Sequence, residues 1–251
     1  MNGEMYQICR IAAAARNALE KETKLAFVPI KYENKIEFQC LSRNREPYLA
    51  PSVDDWFDYC VQNGLLDIKL LVPVSASNRN LLGFSNATKS CLVCFYEEKA
   101  TYFTSHWEFD SEMQGWNILY TEYEWENAPQ GKPQFADETE SFLKVLIDIK
   151  ELAHKIDCDE FANTFQRAID ILNGSSNYID NEHGLPLPTI GDKQLRLFEA
   201  ASAADVFGAM GSWNDSPPYM AHEKGFSEEY EELSNELLRQ IRLAILYAIN
   251  E

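Results

Sequence analysis

An α+β fold is expected from three features of this 251-residue chain. Short β-prone runs fill much of the first half, and several of them alternate in character residue by residue. A Pro/Gly-rich hinge, NAPQGKPQ at 127–134, ends that texture. Beyond it the apolar spacing lengthens to the three-and-four period of helices. Strands first and helices second argue against an alternating βαβ order. The expected architecture is therefore a mostly antiparallel sheet with two helices over 1–130, followed by about four helices over 131–251, packed together as one unit.

The elements follow in chain order. Ile8, Ile11, Ala12, Ala15 and Leu19 recur at helical spacing, so Met5 to Glu22 reads as an amphipathic helix. KLAFVPIKYENKIEFQCL reads as a hairpin whose strands flank Tyr32, Glu33 and Asn34, with Pro29 pushing the first strand to an edge. Pro51 and Ser52 open a second helix, and Asn63-Gly64 closes it. DIKLLVPV is a continuous apolar run, as in a strand covered on both faces. SCLVCFYEE, ATYFTSHWEF and GWNILYTEYEWE give three more strands. In the last, Leu119, Thr121, Tyr123 and Trp125 alternate with Tyr120, Glu122, Glu124 and Glu126, so one aromatic and one acidic face are expected, with part of the sheet wet on one side.

After the hinge, Asp137 and Glu140 have capping-box spacing ahead of the stripe Phe142, Leu146, Ile149 and Leu152. A second helix runs from about Asp159 through Phe165 to Asn173-Gly174, and a third starts after Gly191-Asp192 and continues through Val206. The fourth is expected to be capped by Ser227, with Glu228 and Glu229 at its positive end.

Composition narrows the function classes. The net charge of −18 is unevenly placed: residues 1–100 hold 12 basic and 12 acidic residues, and 101–251 hold 10 and 28. Such a surface repels phosphate backbones, and there is no Lys/Arg run to offset it, so nucleic-acid binding is not expected. No apolar run nears the roughly 18 residues of a membrane helix. Arg10 and Arg16 interrupt ICRIAAAARNAL, unlike a signal-peptide core. A soluble, cytoplasmic chain with no membrane role is the expectation. The six cysteines then read as reduced thiols. Cys91 and Cys94 have suggestive spacing, but residues three apart on a strand face opposite sides, so neither a metal nor a cofactor is expected there.

Motifs of phosphate-binding loops, serine hydrolases and zinc proteases are absent, and no catalytic residue is assigned. Three stretches stand out. FGAMGSWNDSPPYMAHEKGF, 207–226, gathers glycines, prolines, Trp213 and His222 between two helical patterns. It reads either as a helix stop pinned by an indole or as a ligand pocket built from Asp205, Trp213, Asn214, Asp215 and His222. The connection at 173–192 is long enough to act as a lid or binding loop around His183. The third is the aromatic-acidic band of Trp107, Glu108, Asp110, Trp116, Tyr120, Glu122, Glu124 and Glu126, which reads either as a surface suited to a basic protein partner, with Trp116, Tyr120 and the three glutamates as contacts, or as a strand pair whose Trp107, Trp116 and Trp125 belong to the core. The preferred expectation is a non-catalytic interaction protein, of inhibitor or immunity-protein type, that binds such a partner. The alternative is an enzyme or small-ligand binder at 205–222.

Overall fold

A computed structural model describes residues 1–41, 47–129, 131–175 and 186–251. Its strands are β1 (Glu33–Cys40), β2 (Tyr48–Ala50), β3 (Asp67–Leu71), β4 (Cys91–Phe95), β5 (Ala100–Asp110) and β6 (Gly115–Glu124). They form one sheet in the order β2-β1-β6-β5-β4-β3. Every neighbouring pair is antiparallel except β1 with β6. Helices α1 (Gly3–Glu20) and α2 (Val53–Gln62) belong to the first half, while α3 (Thr139–Lys155), α4 (Asp159–Leu172), α5 (Asp192–Ala204), α6 (Pro217–Glu223) and α7 (Ser227–Asn250) follow the sheet. The fold is α+β, as expected, with β2 and α6 added.

The helices are layered against one face of the sheet. α1 packs on β3 and β4, and α7 packs on α1, α3, α5 and β3. α1 is therefore buried around most of its circumference, and its small alanines at 12, 13 and 15 suit close approach by its neighbours. α2 covers β1, where Trp56 stacks on Phe38 at 4.5 Å and meets Phe103 edge-on at 5.7 Å. One cluster of buried apolar side chains runs from these residues into α3, α4, α5 and α7. The opposite sheet face is partly open. Tyr102 and Tyr123 stack across it at 5.4 Å, and Trp125 and Ala128 cover a patch of Val93, Phe95 and Ala100.

The expected hairpin at 24–40 does not form. Residues 24–30 have no strand structure, and β1 instead lies between β2 and β6. Local bonds tie the segment to helices: Arg10 donates to Val28 O at 2.7 Å and sits over the Phe27 ring, while Phe27 N donates to Asp54 Oδ1 at 3.1 Å. β3 is buried as its apolar run requires, although it is a sheet edge. Its outer edge is closed by a side chain: the Asn250 amide accepts from Leu70 N and donates to Leu70 O, both at 2.8 Å. Two backbone groups that would otherwise be buried without partners are thereby satisfied.

Two expected caps are also replaced. Asp137 accepts from Thr139 N and Thr139 Oγ1 rather than closing a box with Glu140. α7 has Phe226, not Ser227, at its N-cap, without a side-chain cap bond. Among the described residues, no helix is long and apolar enough to cross a membrane.

Candidate functional site

The 205–222 stretch serves the core first. α5 stops at Ala204, short of the expected Val206, and Asp205 is its half-buried C-cap. The chain doubles back so that Trp213 N donates to Val206 O at 3.0 Å. Gly211 takes φ 78°, a left-handed conformation that glycine adopts without a Cβ penalty, and its N–H donates to Asp215 Oδ2 at 2.8 Å. Pro217 and Pro218 then open α6, where a missing N–H costs nothing; they begin a helix and do not merely turn the chain.

Trp213 is fully buried. Its Nε1 donates to Ser234 Oγ at 2.8 Å, Tyr230 OH donates to its carbonyl at 2.6 Å, and Phe161, Phe165 and Tyr230 surround the ring at 5.2–5.4 Å. No ring face is left to wall a pocket. Asn214 is bonded to Ser212 and Gly208, and exposed His222 lies 3.4 Å from Ser227 Oγ. No hydrogen bond or ion pair joins Asp205, Asp215 and His222 to one another: Asp215 is bound within its own turn, His222 is exposed, and Asp205 is half-buried at the end of α5.

The β6 band is inverted relative to expectation. Tyr120 and Glu122 belong to the buried face, whereas Tyr123 is 45% exposed. Polar partners on the helix side make this tolerable. Tyr120 OH donates to Gln7 Oε1 at 2.8 Å, Gln7 Nε2 donates to Glu33 Oε1 at 2.9 Å, and Glu122 accepts from Leu41 N at 2.6 Å. Burial pushes the Tyr120 hydroxyl well above its ordinary value and raises Glu33 as well. Tyr120 and Glu122 are thus structural in this fold, while Glu124 and Glu126 remain exposed. Glu4, Gln7 and Arg10, three apart on the buried face of α1, were the sequence signal for this interior polar line.

Two other members of the band, Trp107 and Trp116, converge. Asn2 caps α1 by accepting from Met5 N at 3.0 Å, which places Glu4 in the first turn. The Glu4 carboxylate accepts from Asn86 N and, at 3.2 Å, from Thr88 Oγ1. The Asn86 amide in turn pairs with both backbone groups of Trp107, at 2.8 and 3.1 Å. This lacing fixes the turn at 83–86 between α1 and β5. Gly83 is required there, since a Cβ would stand 2.4 Å from Ala209 N. The result is a cleft of about 310 Å³ lined by Asn2, Glu4, Phe84, Ser85, Trp107 and Trp116.

Its wall is aromatic, with Trp107 buried in the core and Trp116 half-buried. Trp107 and Trp116 meet edge-to-face at 5.8 Å, and Phe109 packs on Trp116 at 5.2 Å. Phe84, Phe109 and Met113 are 57%, 50% and 67% exposed. Exposed Glu108 and Glu112 lie on the same β5–β6 hairpin as Asp110, whose carboxyl is held below its ordinary range by hydrogen bonds from Met113 N and Glu112 N. Phe84 and Ser85 were not anticipated as site residues. Their turn lies between strands and carries no motif.

Among the described residues, no group of three or more His, Cys, Asp and Glu is placed to hold a metal. Cys94 faces the core and Cys91 the other side of β4, as strand alternation requires. Hydrogen bonding with Cys60 and burial raise the Cys94 thiol. His183 lies outside the described residues, as do the rest of residues 176–185 of its loop. Comparison with protein-family models, curated proteins and solved structures finds no match to this chain.

Proposed function

We propose that this chain is a non-catalytic interaction protein that docks a basic protein partner at the Trp107–Trp116 cleft, as an inhibitor or immunity protein would. The convergence of Trp107, Trp116 and Phe84 around one cleft, beside a hairpin carrying Glu108, Asp110 and Glu112, supports the reading. Aromatic side chains supply contact area at low entropic cost, and buried anchors of this kind dominate interface energetics. The acids act at longer range. They steer a basic surface toward the cleft and make association salt-dependent. A lysine or arginine side chain of the partner can lie against an indole face and gain cation–π attraction.

Capture from a cell extract at low and high salt, followed by identification by mass, tests the reading when wild type is compared with the Phe84→Ala/Trp116→Ala double variant. The expected outcome is a basic protein retained by wild type at low salt, released at high salt and not retained by the double variant. Retention of the same protein by both forms at both salt levels contradicts the proposal.

A further inference from the structure

A second cleft, independent of the first, lies between the turn that precedes β4 and the N-terminal half of α7. It measures about 300 Å³, the lower end of small-molecule sites. Asn78, Arg79, Asn80 and Asn214 line it together with Tyr230 and Glu231 of α7. We propose that this cleft binds a small neutral polyhydroxylated molecule of monosaccharide size.

Charge disfavours ligands of a single sign. Arg79 donates to Glu231 Oε2 at 2.9 Å and to Asn235, and its guanidinium lies 5.9 Å from the Tyr230 ring centre. The cation is neutralised within the cleft. An anion would meet the Glu231 carboxylate, and a cation would meet Arg79.

What remains are directional groups of both kinds. The Arg79 Nε–H is buried and has no acceptor. Asn78 Oδ1 accepts from Asn80 N at 3.0 Å, and its amide donors have no partner among the described residues. The Asn214 amide makes one long bond, 3.4 Å, to Gly208 O. Side-chain amides, a guanidinium and a carboxylate together match hydroxyl groups, each of which both donates and accepts. Tyr230 is buried, with its ring stacked on Trp213 and its hydroxyl donating to Trp213 O, so it backs the cleft without offering a ring face and the contacts open to a ligand are polar. This relocates the ligand-binding possibility of the 205–222 stretch: of its five candidate residues, Asn214 alone lines the cleft.

The test is titration of the full chain with glucose, galactose, mannose and N-acetylglucosamine, read by saturation-transfer NMR and calorimetry. Wild type, Asn80→Ala, Asn214→Ala and Trp116→Ala are compared after circular dichroism confirms that each is folded. Saturable binding of at least one sugar is expected, weakened about tenfold by loss of either asparagine and unchanged in Trp116→Ala. Should Asn214→Ala misfold, exposed Asn80→Ala carries the comparison. Failure of all four sugars to bind overturns the proposal, as does binding indifferent to both asparagine variants or displacement of the sugar by inorganic phosphate. Because Trp116 lies in the other cleft, partner docking and sugar binding fail separately.

Discussion

Replacing Trp213 by alanine tests whether the 205–222 stretch is built for packing. The indole is fully buried among Phe161, Phe165 and Tyr230, so its removal leaves a cavity between α4 and α7. Large aromatic-to-alanine changes in cores cost about 3–5 kcal/mol. The lost bond to Ser234 Oγ places this site at the upper end, about 4–5 kcal/mol. That is a large share of the roughly 5–15 kcal/mol by which native chains are stable. Trp213→Phe preserves ring contacts and removes the Nε1 donor, so it should cost about 1–3 kcal/mol. Urea unfolding followed by near-ultraviolet signals gives both values, with an unchanged dependence on denaturant if the unfolded state is unaffected. A loss below about 1 kcal/mol for Trp213→Ala would refute the packing account.

Asn250→Ala should cost about 2–4 kcal/mol in the same assay, because it strips partners from two buried backbone groups of Leu70; faster amide exchange at Leu70 would accompany the loss, and unchanged protection would contradict it. Glu33 is raised above its ordinary value of 4.5, with burial the largest cause. A carboxyl raised on folding contributes stability that is present below the unfolded value and lost as pH rises through the folded one. Wild type should therefore lose stability relative to Glu33→Gln as pH climbs from below 4.5, and a constant difference across pH would contradict this. In the folded chain, iodoacetamide should modify partly exposed Cys158 first. Cys9, Cys40, Cys60 and Cys94 should resist until unfolding, and Cys91, whose thiol burial pushes up to about 11, should react slowly. Modification of Cys94 as fast as Cys158 would count against the packing described.

The order of strands and helices was legible because the period of apolar residues changes at the 127–134 hinge, and burial of the stripes on α3, α4 and α7 follows directly from it. The hairpin at 24–40 failed for a nonlocal reason: Arg10 and Asp54, distant in sequence, bind the backbone that a strand partner would have used. The faces of β6 were read the wrong way round because glutamate at alternate positions normally marks the wet side. Here the helix layer brings Gln7 to Tyr120, and Leu41 N to Glu122 satisfies a buried carboxylate. Trp107 and Trp116 were found as members of a band, but the cleft they line depends on the 83–86 turn. That turn is fixed by Asn86 at φ 62° and by the Gly83 approach to Ala209, neither of which has a sequence signature.

The central claim is that Trp107 and Trp116 form a docking cleft while Trp213 is sealed in the core. It is tested most directly by following the indole N–H resonances of the ¹⁵N-labelled chain during titration with a peptide of alternating arginine and leucine. Trp107 and Trp116 should shift with a salt-sensitive, saturable dependence, and Trp213 should stay fixed. A Trp213 resonance that moves while those of Trp107 and Trp116 do not would contradict the account.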